Sequence, residues 1–152
     1  MDNDSQLKPI NILLVEDNPG DVMLTKQALI ESKIKTTLNV VMDGEEAVHY
    51  LRKEGKHTLV ETPDLVLLDL NLPKKDGLSV LAEIKADSHL KFIPIIILST
   101  SSAEEDIASA YARYANCYIT KPSDFRQFIH VVKSIEAFWF KVVKFPKSKK
   151  RA

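Results

Sequence analysis

Short apolar runs and amphipathic stretches alternate five times along this chain. The runs cover residues 10–15, 38–42, 65–68, 95–98 and 118–120. The first from Ile12 onward, the third and the fourth are continuously apolar, as expected of parallel strands buried on both faces. Between the runs the apolar spacing is helical. Val22, Leu24, Ala28 and Leu29 follow Pro19, and Ala47, Val48 and Leu51 follow Asp43-Gly44 in a stretch ending near Gly55. Leu78, Leu81 and Ile84 follow Asp76-Gly77. A fourth helix begins at Ser102-Ala103-Glu104-Glu105, which reads as a capping box, and continues through Ile107, Tyr111 and Tyr114. The fifth starts near Ser123 and carries Phe128, Ile129, Val132 and Ile135. Strict strand–helix alternation predicts an α/β, doubly wound parallel sheet with right-handed crossovers. The polar stretch 53–63 reads as a surface loop, and residues 1–9 as a disordered tail.

Composition narrows the class. A chain of 152 residues is one domain by length, and 45% hydrophobic with 28% charged residues marks a soluble globular protein. Zero net charge argues against nucleic-acid binding by the domain as a whole. The end is different: Lys141, Lys144, Lys147, Lys149, Lys150 and Arg151 have no acidic neighbours. That run reads as a solvated tail, with a nucleic-acid or membrane contact as the alternative. The single cysteine, Cys117, excludes an internal disulfide and reads as a small buried hydrophobe. No signal peptide or membrane span is legible, so the expected location is the cytoplasm.

The chemistry sits at the strand ends. Glu16 and Asp17 end the first run, and Asp69 ends the third with Asn71 two residues on. Ser99 and Thr100 end the fourth, and Lys121-Pro122 follow the fifth. Open α/β sheets bind ligands beyond the carboxyl ends of their strands. One acid after a strand is often only a helix N-cap, but four such ends in register need four separate structural excuses. Gathered carboxylates repel and call for a cation, and oxygen ligands favour Mg²⁺. With Lys121 as a fixed positive charge, the set suits a carboxylate that accepts a phosphoryl group. His49, His57, His89 and His130 are scattered, with no metal-ligand spacing.

With these strand-end residues, the chain resembles the response regulator receiver domains of two-component signalling over about residues 10–136. The segments Leu67-Leu68-Asp69-Leu70-Asn71-Leu72-Pro73-Lys74-Lys75-Asp76-Gly77, Asn116-Cys117-Tyr118 and Ile135-Glu136-Ala137-Phe138-Trp139 are similar to the cyanobacterial phytochrome response regulators. The resemblance implies a flavodoxin-like receiver fold with strand order 2-1-3-4-5, two helices on one face and three on the other. It implies Asp69 as phosphoacceptor, and Mg²⁺ held by Asp17, Asp69 and the Asn71 carbonyl, with Glu16 acting through a water. Lys121 and Ser99 would bind phosphoryl oxygens. Many receivers have threonine at the Ser99 position; Thr100 next door is the competitor for that role, and spacing from Asp69 favours Ser99. Asn71 and Ser101 would flank the water route that ends the signal.

A sensor histidine kinase, of phytochrome type by the closer resemblance, is the implied phosphodonor. Phosphorylation is expected to draw in the Ser99 hydroxyl and turn Tyr118 from exposed to buried. Lys121-Pro122 is a candidate cis bond, with trans the default. No effector domain follows within the chain, so an unknown downstream protein is expected to read the signal by contact. The domain is expected to have no turnover substrate. Residues 137–152 form an aromatic and basic extension. Phe128, Val132, Ile135, Phe138 and Trp139 are the expected homodimer surface, and folding back of the extension on its own domain is the alternative. Two other functions remain in view: a Mg²⁺-dependent aspartyl-phosphate phosphohydrolase, and a phosphorylation-independent dimer scaffold. The first typically needs a carboxylate where Asn71 stands; the complete set Asp17, Asp69, Ser99 and Lys121 speaks against the second.

Overall fold

The computed structural model describes residues 9–32, 34–140 and 144–145. The expected tail lies outside them except for Pro9, as do Lys141, Lys147, Lys149, Lys150 and Arg151 of the basic run.

Five strands form one parallel sheet: β1 (Ile10–Val15), β2 (Thr36–Val41), β3 (Leu65–Leu68), β4 (Ile95–Ser99) and β5 (Cys117–Thr120). Their order is β2-β1-β3-β4-β5, with every pairing parallel. The connecting helices are α1 (Pro19–Ile30), α2 (Gly44–Leu51), α3 (Gly77–Ala86), α4 (Glu104–Ala112) and α5 (Phe125–Ile135). A short 3-10 turn, Gly55–His57, lies in the expected surface loop.

Continuous apolar strands are explained by two separate core layers. Leu13, Val15, Val66, Leu68, Ile95 and Ile97 point to one face, where α2, α3 and α4 contribute Ala47, Val48, Leu51, Val80, Leu81, Ile84 and Ala110. Their neighbours Ile12, Leu14, Leu65, Leu67, Ile96 and Leu98 point to the other, against Val22, Ala28 and Leu29 of α1 and Phe128, Val132 and Ile135 of α5. Successive strand side chains face opposite ways, so a sheet covered on both sides needs apolar residues at every position.

Helix starts are set locally. Asn18, Asp43, Asp76 and Asp124 each place a side-chain oxygen on a first-turn N–H of α1, α2, α3 and α5. The fourth helix departs from expectation. Ala103 is its N-cap and makes no side-chain bond, so the Ser102/Glu105 capping box does not form. Ser101 substitutes: its Oγ accepts from the Ala103 N–H at 3.3 Å and donates to Asp106 at 2.5 Å.

The carboxyl end also differs from expectation. Phe128, Val132 and Ile135 are buried in the protein's own core, so they cannot form the expected dimer surface. Their helical spacing is the stripe that seats α5 on the sheet. Beyond Ile135 the chain continues as a π-helical turn, Glu136–Phe140. Trp139, Phe140 and Phe145 pack against the same core layer, with the rings of Trp139 and Phe145 stacked at 6.4 Å. Among the described residues the extension therefore folds back on its own domain. Phe138 remains 54% exposed.

Candidate functional site

Strand register assembles the site. Val15 pairs with Leu68, so Glu16 and Asp69 emerge side by side where β1 and β3 end. The Asp69 N–H donates to the Val15 carbonyl at 3.1 Å. At the far side Ser99 pairs with Thr120, and the Lys121 N–H donates to the Ser99 carbonyl at 2.7 Å. Four segments distant in sequence thus deliver their polar ends to one edge. Glu16, Asp69, Ser99 and Lys121 are all buried there, while Asp17 and Asn71 are exposed at the rim.

The Lys121 ammonium contacts three carboxylates: Glu16 at 2.5 Å, Asp21 at 2.9 Å and Asp69 at 3.3 Å. Burial works against its charge, but the hydrogen bonds to Glu16 and Asp21 and the Asp69 charge more than offset this and hold its pKa above the ordinary lysine value. Glu16 moves up as well. Burial is the main cause and the Asp69 charge adds to it, against the pull of Lys121 and the Asn18 N–H, leaving it at about 7. One ammonium is too little positive charge for this group of acids.

Carboxylate oxygens of Glu16, Asp17 and Asp69 lie within 4.8 Å of one another. Hard oxygen donors at that spacing, with an excess of negative charge, fit a divalent cation. Both Glu16 oxygens are already engaged, Oε1 by Lys121 and Oε2 by the Asn18 N–H at 3.1 Å. That suits the outer, water-mediated part expected of it. The Asn71 N–H donates to Asp69 Oδ1 at 3.3 Å, which steadies the carboxylate.

Behind Asp69, Ser99 Oγ accepts from the Ser101 N–H at 3.4 Å, and the Ser101 carbonyl accepts the Tyr118 hydroxyl at 2.8 Å. Ser101 therefore links Ser99 to Tyr118 through two hydrogen bonds. Tyr118 is half-buried, not exposed as expected, because that bond draws the ring over the loop after β4. Of the two neighbouring hydroxyls, Ser99 is buried and Thr100 exposed. The Lys121–Pro122 bond is trans, since the described residues contain no cis peptide; the ammonium reaches its carboxylates in the isomer that X-Pro bonds ordinarily favour.

Sequence reasoning missed two residues. Asp21 reads only as an acid in the first turn of α1, favourable there by the helix dipole. Nothing in its spacing predicts a contact with a lysine a hundred positions away. Gly77 reads as a helix start, yet a Cβ on it would lie 2.2 Å from the Asp69 carbonyl oxygen. Only the packing of α3 against β3 makes that glycine necessary.

A family model for the response regulator receiver domain matches residues 12–133. The chain belongs to the response regulator receiver family. Response regulator Rcp1 of Synechocystis sp. is 42% identical over 144 residues, covering 95% of this chain and 98% of Rcp1. The crystal structure of the phosphorylated cyanobacterial phytochrome response regulator RcpA superposes with a TM-score of 0.90 at 48% identity, covering 92% of this chain and 100% of RcpA. The Mn²⁺-bound form of Rcp1 gives a TM-score of 0.89 at 42% identity, covering 91% of this chain and 100% of Rcp1. This receiver is thus related to phytochrome response regulators, and its acidic edge fits the phosphoacceptor role. Among its described residues no helix is long and apolar enough to cross a membrane.

Proposed function

We propose that this receiver takes a phosphoryl group onto Asp69 from the phosphohistidine of a sensor kinase, with Mg²⁺ as its cation, and signals by protein contact. The observation that carries the reading is the meeting of buried Asp69, Lys121 and Glu16 with rim-exposed Asp17 at one sheet edge. An Asp69 oxygen attacks phosphorus in line. The P–N bond breaks, its electron pair returns to the imidazole, and an acyl phosphate forms on Asp69. Lys121 meets the charge on one phosphoryl oxygen and Ser99 donates to another. Asp17, Asp69 and the Asn71 carbonyl would hold Mg²⁺, which would neutralise the acids and supply positive charge for the phosphoryl oxygens. Water later cleaves the acyl phosphate and resets the switch, without a turnover substrate.

Signal output follows the Ser99–Ser101–Tyr118 path. A phosphoryl oxygen engages the Ser99 hydroxyl, the 3.4 Å contact to the Ser101 N–H is the weakest link on that path, and Ser101 also holds the start of α4. Movement of Ser101 therefore reaches Tyr118 and α4 together. Tyr111, Tyr114, Phe125 and Phe138 are exposed large side chains on or beside α4 and α5. They support a homodimer or target surface on the α4–β5–α5 face, with Phe138 as its contribution from the extension. Receiver residues 10–136 and the extension 137–152 would then be two functional parts of one chain, working in the cytoplasm. Relatedness to RcpA and Rcp1 supports a phytochrome-type kinase as the donor.

Intact-mass analysis after incubation with acetyl phosphate and Mg²⁺ tests the acceptor. One added phosphate is expected, abolished in Asp69→Asn; an unchanged mass refutes the assignment. Phosphotransfer from purified sensor kinases, a phytochrome kinase among them, tests the partner. Steady hydrolysis of a small phosphate ester would instead indicate a phosphohydrolase. Sedimentation of the phosphorylated protein as a monomer at micromolar concentration would refute the dimer.

A further inference from the structure

Lys121 is held from two directions. An ammonium has three N–H donors, and Glu16, Asp21 and Asp69 occupy them at 2.5, 2.9 and 3.3 Å. The shortest two contacts go to residues that carry no phosphoryl group. The longest goes to the acceptor itself, and this donor is the one free to pass to a phosphoryl oxygen. Glu16 reaches the ammonium from the end of β1, and Asp21 from the first turn of α1.

Asp21 is itself held in place. Its N–H donates to Asn18 Oδ1 at 3.1 Å, and its carbonyl accepts from the buried Thr25 hydroxyl at 2.8 Å. The Asn18 N–H in turn donates to Glu16 Oε2 at 3.1 Å. Lys121 to Asp21, Asp21 to Asn18, Asn18 to Glu16 and Lys121 to Glu16 make a closed ring of hydrogen bonds. The ring ties the loop between β1 and α1 to the one buried cation of the site.

We infer that Asp21 is a positioning residue for phosphoryl transfer, anchoring Lys121 so that its third N–H points at Asp69. Its carboxylate is not in the acidic cluster formed by Glu16, Asp17 and Asp69, so it acts through Lys121 and not through the metal. Without it the ammonium keeps Glu16 and Asp69 as partners but loses the restraint from α1. Misplacement of a charged group by a fraction of an ångström slows a reaction that depends on preorganised charge.

The inference rests on the function proposed above, and one experiment separates the two. Phosphorylation of the full chain by acetyl phosphate is followed by intact mass against Mg²⁺ concentration for wild type, Asp21→Asn and Asp21→Ala. This yields a maximal rate and a half-saturating Mg²⁺ concentration for each. Asp21→Ala is expected to lower the maximal rate about tenfold. Asp21→Asn, which keeps an oxygen acceptor, should recover to within about threefold of wild type. Half-saturating Mg²⁺ should stay within about twofold in all three, since Asp21 is not a ligand. In ¹⁵N-lysine-labelled protein, the Lys121 ammonium should exchange its protons faster in Asp21→Ala, a readout that does not depend on chemistry. A wild-type rate in Asp21→Ala overturns the inference. So does a loss confined to Mg²⁺ affinity, or an asparagine variant no better than alanine. Should alanine fail to fold, Asp21→Ser, whose hydroxyl is too short to reach the ammonium, takes its place: a wild-type maximal rate with wild-type ammonium exchange in that variant overturns the inference. Wild-type protein that takes no phosphate refutes the proposed function instead.

Discussion

Gly77 is the residue through which α3 bears on the phosphoacceptor. Its N–H donates to the Leu70 carbonyl at 2.8 Å, drawing the first turn of α3 against the chain just beyond Asp69. An added Cβ would meet the Asp69 carbonyl oxygen at 2.2 Å, Leu70 Cα at 2.6 Å and the Asp69 carbonyl carbon at 3.0 Å. All three are backbone atoms, so no side chain can swing away. Ordinary contact begins near 3.4 Å, and Gly77→Ala therefore has to push α3 and the Asp69 backbone apart by about 1.2 Å. Overpacking of this kind costs about 2 kcal/mol, equivalent to a fall in Tm of about 6 °C for a domain of this size. The same displacement moves the Asp69 carboxylate relative to Lys121 and should slow phosphorylation by about 10- to 100-fold. Thermal unfolding by circular dichroism and the acetyl phosphate rate at saturating Mg²⁺ measure the two effects. Gly20→Ala is the control: its Cβ meets only the Asn18 side-chain oxygen, at 3.1 Å, and its stability should stay within about 0.5 kcal/mol of wild type. If Gly77→Ala matches wild type in both Tm and rate, the close approach of α3 to Asp69 is not as described.

Other expectations concern single contacts. Lys121→Met should cut the phosphorylation rate by about 100-fold or more, because a buried cation aimed at the developing charge is lost. Thermal shift should still show Mg²⁺ stabilising that variant, since the acids remain. Tyr118→Phe removes the hydroxyl from the Ser101 carbonyl and should cost about 1 kcal/mol in urea unfolding; an unchanged midpoint would argue against that bond. Lys85 donates to the Lys91 and Ile93 carbonyls and to Asn116 Oδ1, so Lys85→Met should destabilise by about 1–3 kcal/mol. Burial holds Lys85 below the ordinary lysine value. The unfolded chain therefore binds the extra proton, and this group's contribution to stability rises as pH climbs through the window just below 10.5. Urea titrations at several alkaline pH values should show that rise in wild type and lose it in Lys85→Met.

The fold and the acidic edge were legible for one reason: their signals are local. The apolar runs at 10–15, interrupted only by Asn11, and at 65–68 match β1 and β3 to the residue. The polar residues that end them had to emerge at one sheet edge once the strands ran parallel. Shorter or polar-interrupted elements were less clear. β2 begins at Thr36, two residues before its apolar run, because pairing of Ile10 with Thr36 needs only backbone. The start of α4 followed Ser101 instead of Ser102, since Ser101 is held by both Tyr118 and Asp106.

Long-range neighbours were a different matter. The apolar spacing of Phe128, Val132 and Ile135 marks a helix face but does not say whether the sheet or a second molecule covers it; packing of α5 against α1 and the sheet assigned all three to the core. Tyr118 and Asp21 acquire their partners only when β4 lies beside β5 and α1 beside α5. Periodicity records which side of an element is apolar, and strand ends record which groups can meet at an edge. Hydrogen-bond partners and steric gaps depend on distances between segments, and those exist only once the layers have packed.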